Sequence, residues 1–247
     1  MADLDGRAAI VTGGARGIGR SIVLRLAAAG CRVAINCHGS VDEAEQLARE
    51  LGDAGSEAIV LPGSIADPAT GPMLAERTLG RWGKIDVLVN NAGINRDTTM
   101  RRMTDEQFTA VVETNLLGTH RVTKAVLEPM CDQGFGRIVS ISSFVGQLGN
   151  YGQANYAATK GGLIAWTKTL AFEVARFGVT VNCVCPGFID TDMLRGVPEH
   201  VLERLLARIP LGRFGDPDDV ARGVHYLIRD GAYITGTCLN INGGLYM

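Results

Sequence analysis

A tyrosine and a lysine four residues apart, in the stretch NYAATK from Asn155 to Lys160, could together carry out proton transfer. If the stretch is helical, Tyr156 and Lys160 lie on one face, one turn apart. A phenol has an ordinary pKa of about 10, and a nearby ammonium group favours its ionised form. We therefore expect Lys160 to lower the pKa of Tyr156 toward neutral pH, which would suit acid–base chemistry at a carbonyl or alcohol oxygen.

The elements that must hold this pair follow a repeated β-α rhythm. Apolar runs of strand length alternate with amphipathic segments, which predicts an α/β fold with a doubly wound parallel sheet and helices on both faces. No linker divides the 247 residues, so we predict one domain over 1–247. The predicted strands, about seven, lie near 7–13, 31–37, 57–63, 84–93, 136–143, 179–187 and 238–244.

Two long helices are predicted, over about 104–130 and about 151–177. The first opens with TDEQ, a capping-box pattern in which Thr104 caps the helix and Gln107 reaches back. The second contains the Tyr156–Lys160 pair.

A glycine-rich turn, VTGGARGIGRS, lies where the first strand meets the first helix. Gly13, Gly17 and Gly19 allow a tight turn and a close approach of backbone N–H groups to a diphosphate, next to the positive end of the helix. A P-loop is a rival interpretation, but Arg20 stands where that motif needs lysine, and IDVLVNN ends in asparagine rather than an acidic residue. The turn therefore favours a dinucleotide.

The end of the second predicted strand, INCHGS, bears on the type of dinucleotide. Cys37 stands there with no carboxylate to accept hydrogen bonds from a free ribose 2′-hydroxyl, as NAD would require. Arg16 in the glycine turn suits a 2′-phosphate, and His38 could add a donor. We predict NADP(H).

Composition excludes several classes of protein. The net charge is −2 without a basic block, which argues against nucleic-acid binding. The chain has no apolar run of about 18 residues and no basic and apolar leader pattern, so we expect neither a membrane span nor a signal peptide.

Six cysteines and four histidines show no metal-ligand spacing, and no metal is predicted. We expect buried free thiols in a reducing cytoplasm, with Cys183 and Cys185 on opposite faces of their strand.

The motifs together resemble the short-chain dehydrogenase/reductase family over essentially the whole chain, which implies a single-domain Rossmann-type fold. TGGARGIG resembles the family's nucleotide-binding turn, NNAG its fourth-strand signature, YAATK its Tyr-x-x-x-Lys pair and CPGFIDTDM its segment beside the nicotinamide. The resemblance implies that Tyr156 donates a proton, Ser143 steadies the carbonyl oxygen, and Lys160 tunes Tyr156 and holds the nicotinamide ribose. It also implies that Asn115 holds a water linking Lys160 to solvent.

The cofactor-binding residues expected on these grounds, besides Tyr156 and Lys160, are Gly13, Arg16, Gly17, Ile18, Gly19, Cys37, His38, Ser64, Ile65, Asn90, Ala92, Gly93, Pro186, Gly187, Ile189 and Thr191. Ser64 stands where many relatives have Asp or Asn toward the adenine.

Within the family, NYGQANYAATKGGL and NGGLYM look most like bacterial 3-oxoacyl-thioester reductases. One type acts on acyl-carrier-protein thioesters, and another acts on acetoacetyl-CoA. Gly134 and Phe177 stand where the carrier-protein type has basic docking residues, so both carriers stay open. The substrate contacts expected are Ser143, Gln147, Asn150, Tyr151, Gln153 and Phe188.

The stretch 193–215 resembles the family's mobile lid, with Leu202, Leu205, Leu206 and Ile209 on one apolar face that could cover an acyl chain or simply pack. The apolar long helices predict a homotetramer, as in the family. The leading hypothesis is an NADPH-dependent 3-oxoacyl-thioester reductase. The alternatives are an oxidoreductase for another ketone or alcohol, such as a sugar, polyol or xenobiotic carbonyl, and a non-catalytic NADP(H) sensor.

Overall fold

Seven parallel strands form a continuous sheet in the computed structural model, which describes residues 4–191 and 198–247. The strands are β1 (Ala8–Val11), β2 (Arg32–Cys37), β3 (Ala58–Pro62), β4 (Val87–Asn90), β5 (Gly136–Ile141), β6 (Val179–Pro186) and β7 (Cys238–Ile241). Their order is β3-β2-β1-β4-β5-β6-β7, and every neighbouring pair is parallel. The predicted fold class is confirmed, and the order reverses direction at β1, where such sheets bind ligands.

The helices among the described residues connect these strands as crossovers. They are α1 (Gly17–Ala28), α2 (Val41–Asp53), α3 (Thr70–Trp82), α4 (Asp105–Val112), α5 (Thr119–Asp132), α6 (Val145–Leu148), α7 (Ala154–Val174), α8 (Glu199–Leu206) and α9 (Pro217–Arg229).

The two faces of the sheet carry separate apolar cores, because successive strand residues point to opposite sides. On β1, Ala9 and Val11 join the core formed with α1, α2 and α9. Ala8 and Ile10 join the core formed with α3, α5 and α7. A strand buried on both sides reads as a continuous apolar run, which explains why the strands were visible in the sequence.

The first predicted long helix is interrupted. Thr104 and Gln107 form the predicted capping box at the start of α4. A π-helical segment, Glu113–Gly118, then separates α4 from α5. Such a segment adds a residue to one turn and re-aims the side chains within it. The second predicted helix starts three residues late, at Ala154, and ends in a 3₁₀ turn, Ala175–Phe177.

The predicted lid is described only in part, since 193–197 lie outside the described residues. In the described part, α8 has Leu202, Leu205 and Leu206 partly covered, and Ile209 beyond it is buried. No helix within 4–191 and 198–247 is long and apolar enough to cross a membrane.

Candidate active site

The glycine turn connects β1 to α1 in a shape that only glycine adopts without strain. Gly13 and Gly17 have φ angles of 62° and 53°. A Cβ on Gly19 would lie 2.1 Å from the carbonyl oxygen of Gly13, so the first helical turn packs directly on the loop. The free N–H groups at the start of α1 therefore face a narrow cradle suited to an anionic diphosphate.

A hydrogen-bond cluster ties this turn to the NNAG segment after β4. The Thr12 hydroxyl accepts from the backbone N–H groups of Asn91 and Ala92, at 3.0 and 3.1 Å. The Asn91 amide donates to the carbonyls of Thr12 and Gly13, both at 3.0 Å. Neither Thr12 nor Asn91 is among the predicted site residues, although both lie within the motifs TGG and NNAG that could have suggested them.

Three residues predicted to touch a cofactor point their side chains into the fold instead. The Asn90 amide donates to the hydroxyls of Thr123 and Ser140 behind the sheet edge. Cys37 and Ile65 are buried in the apolar cores. Because their side chains face the interior, these three residues could contact a cofactor only through backbone atoms.

Arg16 and His38, by contrast, are exposed on the open side of the turn, where a ribose phosphate could be reached. Ile18 is partly buried and packs on the core beside α1. The Ser64 hydroxyl accepts from the N–H of Ala66 at 3.3 Å, so it has a hydrogen-bond partner within its own loop.

The last residue of β6 and the segment after it lie on the other side of the glycine turn. Pro186 is buried, and a Cβ on Gly187 would lie 2.8 Å from the Cα of Asn242. Ile189 is buried and bridges to Gly215. Thr191 then approaches the turn, with its methyl carbon 3.6 Å from where a Cβ of Gly17 would stand.

The predicted reacting groups converge at the carboxyl ends of β4, β5 and β6. Ser143 follows β5 and makes a side-chain hydrogen bond with Tyr156 in the first turn of α7. The Lys160 Nζ lies 5.5 Å from the centre of the Tyr156 ring and donates to the Ile141 carbonyl at 2.6 Å. The predicted triad of Ser143, Tyr156 and Lys160 is therefore one cluster, with Lys160 only 4% exposed.

Burial dominates the electrostatics of the pair. Burial raises the pKa of Tyr156 to about 12, against the hydrogen bond from Ser143, which lowers it, while the charge of Asp97 adds to the rise. Burial lowers the pKa of Lys160 to about 8. The expectation that the pKa of Tyr156 lies nearer to neutral pH is therefore wrong for the chain alone, because burial destabilises the phenolate by more than the nearby groups stabilise it.

Asn115 lies in the π-helical segment beside Lys160. Its Oδ1 accepts from the Ile94 N–H at 2.8 Å, and its Nδ2 donates to the Ile94 carbonyl at 2.9 Å. The side chain is thus occupied by the backbone after NNAG, and the predicted water contact would have to use the backbone. A Cβ on Gly93 would meet Asn115 Oδ1 at 3.2 Å and Lys160 Nζ at 3.6 Å, so glycine there keeps the cleft open.

A family model described as short chain dehydrogenase matches residues 7–201. The chain is 45% identical, over 246 residues, to the 3-oxoacyl-[acyl-carrier-protein] reductase FabG of Escherichia coli K12, with 99% of each chain covered. It is 43% identical over 242 residues to the FabG proteins of Staphylococcus epidermidis RP62A, with 98% and 99% covered, and of Staphylococcus aureus Mu50, with 98% of each covered.

The chain belongs to the short-chain dehydrogenase family.

Three of the residues predicted on the substrate side of this short-chain dehydrogenase, Asn150, Tyr151 and Gln153, lie in the loop between α6 and α7. Asn150 donates to Gln153, which in turn donates to Asp97 at 2.9 Å. Tyr151 is 89% exposed. Phe188 packs edge-on against Phe144, with ring centres 5.0 Å apart. The amide of Gln147, which was also predicted to contact the substrate, donates to the sulfur of Cys238 at 3.3 Å.

The cysteines depart from the expected arrangement in one respect. All six are free. Cys183 and Cys185 lie on the same face of β6, since residues two apart in a strand share a face, and the expectation of opposite faces was wrong. Their sulfurs lie within 4.8 Å of each other and of the Cys238 sulfur on β7.

Proposed function

We propose that the protein is an NADPH-dependent reductase of 3-oxoacyl thioesters. The observation that carries the proposal is the cluster of Ser143, Tyr156 and Lys160 beside the glycine turn. Near-full-length similarity to proteins named 3-oxoacyl-[acyl-carrier-protein] reductases supports the substrate class.

The described residues fit a nicotinamide dinucleotide. The cradle of Gly13, Gly17 and the start of α1 suits the diphosphate, and the space kept open by Gly93 lies beside Lys160. The exposed guanidinium of Arg16 and the lack of a carboxylate at Cys37 favour a 2′-phosphate, hence NADP(H) over NAD(H). When bound, the nicotinamide supplies the hydride.

Tyr156 supplies the proton to the ketone oxygen. Its raised pKa keeps the phenol protonated at neutral pH, as a proton donor in the reduction direction must be. Ser143 lies beside Tyr156, so its hydroxyl can donate to the same ketone oxygen and stabilise the developing oxyanion.

Lys160 holds the cofactor ribose and provides positive charge near the phenol. Its pKa of about 8 leaves it mostly protonated at pH 7. The amine is fixed by the Ile141 carbonyl, so it needs no rearrangement to meet a hydroxyl.

The acyl portion enters over Tyr151 and Phe188 toward the partly covered face of α8. We infer that 193–215 acts as a lid within a one-domain chain. The carrier is acyl carrier protein on the strength of the relatives' names, with coenzyme A as the other thioester to be tested.

We also infer a homotetramer in the cytoplasm. Phe108 on α4 and Phe172 on α7 expose 37% and 88% of their surface on the long helices, which supports helix pairing between subunits. Six free cysteines support a reducing compartment. Light scattering that gives the mass of a single chain at micromolar concentration would contradict the tetramer.

The test of the proposed function is a substrate comparison with NADPH as reductant. We expect kcat/KM for a carrier-bound 3-oxoacyl thioester to exceed that for sugar, polyol-derived and xenobiotic ketones by at least a hundredfold, with acetoacetyl-CoA assayed alongside. Chromatography should identify the 3-hydroxyacyl product. A sugar or xenobiotic ketone reduced more efficiently than both thioesters would overturn the proposal.

A further inference from the structure

Three cysteine sulfurs meet between β6 and β7, on the side of the sheet facing α6. Cys183 and Cys185 alternate with Val184 on β6, and Cys238 begins β7 as the register partner of Cys183. The three sulfurs lie within 4.8 Å of one another, and those of Cys185 and Cys238 are 2.9 Å apart.

A polar side chain, Gln147, lies against this cluster. The Gln147 amide nitrogen donates to the Cys238 sulfur at 3.3 Å, while its buried Oε1 has no hydrogen-bond partner. Three thiols and one side-chain amide therefore converge between the two strands, which is a set of donor groups that can bind a metal ion.

We propose that Cys183, Cys185 and Cys238 form a binding site for a soft d¹⁰ metal ion, Zn(II) or Cu(I). The sequence shows no metal-ligand spacing because the ligands come from strands 53 residues apart, joined only by the sheet. Thiolates select these ions over hard cations.

The dimensions of the cluster suit such an ion. Metal–sulfur bonds of about 2.3 Å in a tetrahedral site need sulfurs roughly 3.8 Å apart. One sulfur pair is 2.9 Å apart and all three sulfurs lie within 4.8 Å of one another, so displacements of about 1 Å bring the sulfurs to that spacing. For Zn(II), the unpaired Oε1 of Gln147 is a candidate fourth ligand after an amide flip.

The site lies directly behind the proposed catalytic cluster but uses none of its reacting groups. Ser142, which follows β5, donates to the Lys160 carbonyl at 2.8 Å. Binding replaces thiol protons by metal and releases those protons to the buffer, and the ion undergoes no change of oxidation state.

The test is metal titration of the full chain, reduced with a non-thiol phosphine. Zn(II) is measured by competition with a chromophoric chelator, Cu(I) by competition with a Cu(I)-selective chelator, and Cd(II) by its thiolate charge-transfer absorption. We expect one ion per chain and a Cd–thiolate band of three sulfurs.

Single substitutions test which side chains bind the metal ion. Cys238→Ser and Cys185→Ala should each weaken binding at least a hundredfold. Cys131→Ser, which removes a partly exposed thiol outside the cluster, should change it less than twofold. Thermal melting and NADPH binding of each variant show whether it folds, and Gln147→Leu gives a milder second test of Zn(II) affinity that leaves every thiol in place.

The proposal is overturned if neither Zn(II) nor Cu(I) binds the wild-type chain with a dissociation constant below a micromolar. Binding that survives in folded Cys238→Ser and Cys185→Ala, or that is lost in Cys131→Ser, would equally overturn it. None of these readouts depends on reductase activity, so the proposal and the proposed function can fail separately.

Discussion

The two ends of the proposed cofactor cleft are built differently. At the reacting end, Lys160 and Asn115 are buried, and their side chains already have partners in the Ile141 and Ile94 backbones. At the phosphate end, Arg16 and His38 are exposed to solvent. The chain therefore holds the groups proposed to perform chemistry in place before a ligand binds, whereas the groups proposed to contact the cofactor's phosphate are open to solvent.

The reacting end should be sensitive to the loss of a single hydroxyl. Ser143→Ala removes the hydrogen bond to Tyr156 and the proposed donor to the oxyanion, so we expect kcat for thioester reduction to fall by roughly 10²–10³-fold. NADPH affinity, measured by fluorescence titration, should change less than threefold. A fall in kcat of less than fivefold would remove Ser143 from the chemistry.

A substitution at the phosphate end should change the selectivity between NADPH and NADH and leave the reduction chemistry intact. Arg16→Ala removes the charged donor proposed for the 2′-phosphate, and we expect the kcat/KM ratio of NADPH over NADH to fall about 10- to 100-fold. The matched control is Arg20→Ala, since Arg20 lies one turn away and is paired with Glu50. If Arg20→Ala lowers the ratio as much as Arg16→Ala, the phosphate is not held at Arg16.

The pH dependence of cofactor binding sharpens the comparison. The folded chain lowers the pKa of Lys160 to about 8, so its positive charge is present below that pH and lost above it. We expect the dissociation constant of NADPH to rise roughly tenfold between pH 7 and pH 9.5, as a charged hydrogen bond is lost. The Lys160→Met variant should bind more weakly at pH 7 and show a flat profile, and a step retained in that variant would assign the titration elsewhere.

The hydrogen bonds that join Thr12 to the NNAG segment should contribute to the stability of the fold. Thr12→Val leaves the N–H groups of Asn91 and Ala92 without their acceptor, and we expect the free energy of unfolding to drop by about 1–3 kcal/mol in urea. Thr12→Ser keeps the hydroxyl and should retain most of that stability. Equal losses in both variants would show that the methyl group, rather than the hydrogen bonds, is what matters.

The fold and the proximity of Tyr156 to Lys160 could be predicted because their signals are local. A strand buried on both faces is a continuous apolar run, a helix start is a capping box, and Tyr156 and Lys160 share one helix face by spacing alone. The seven-stranded sheet and the capping box of α4 are confirmed.

The features that escaped prediction depend on contacts between distant segments. Thr12 meets Asn91 only through the pairing of β1 with β4, and Cys238 meets Cys185 only through the pairing of β6 with β7. The pKa of Tyr156 depends on how deeply the fold buries it, which the spacing to Lys160 does not encode.

The most direct test of the account is single-turnover hydride transfer in Tyr156→Phe. We expect the rate from bound NADPH to a 3-oxoacyl thioester to fall by about 10²–10⁴-fold, because the variant lacks the phenol proposed to donate the proton, while NADPH affinity stays within threefold. Hydride transfer within fivefold of the wild-type rate in a folded, NADPH-binding Tyr156→Phe protein would contradict Tyr156 as the proton donor.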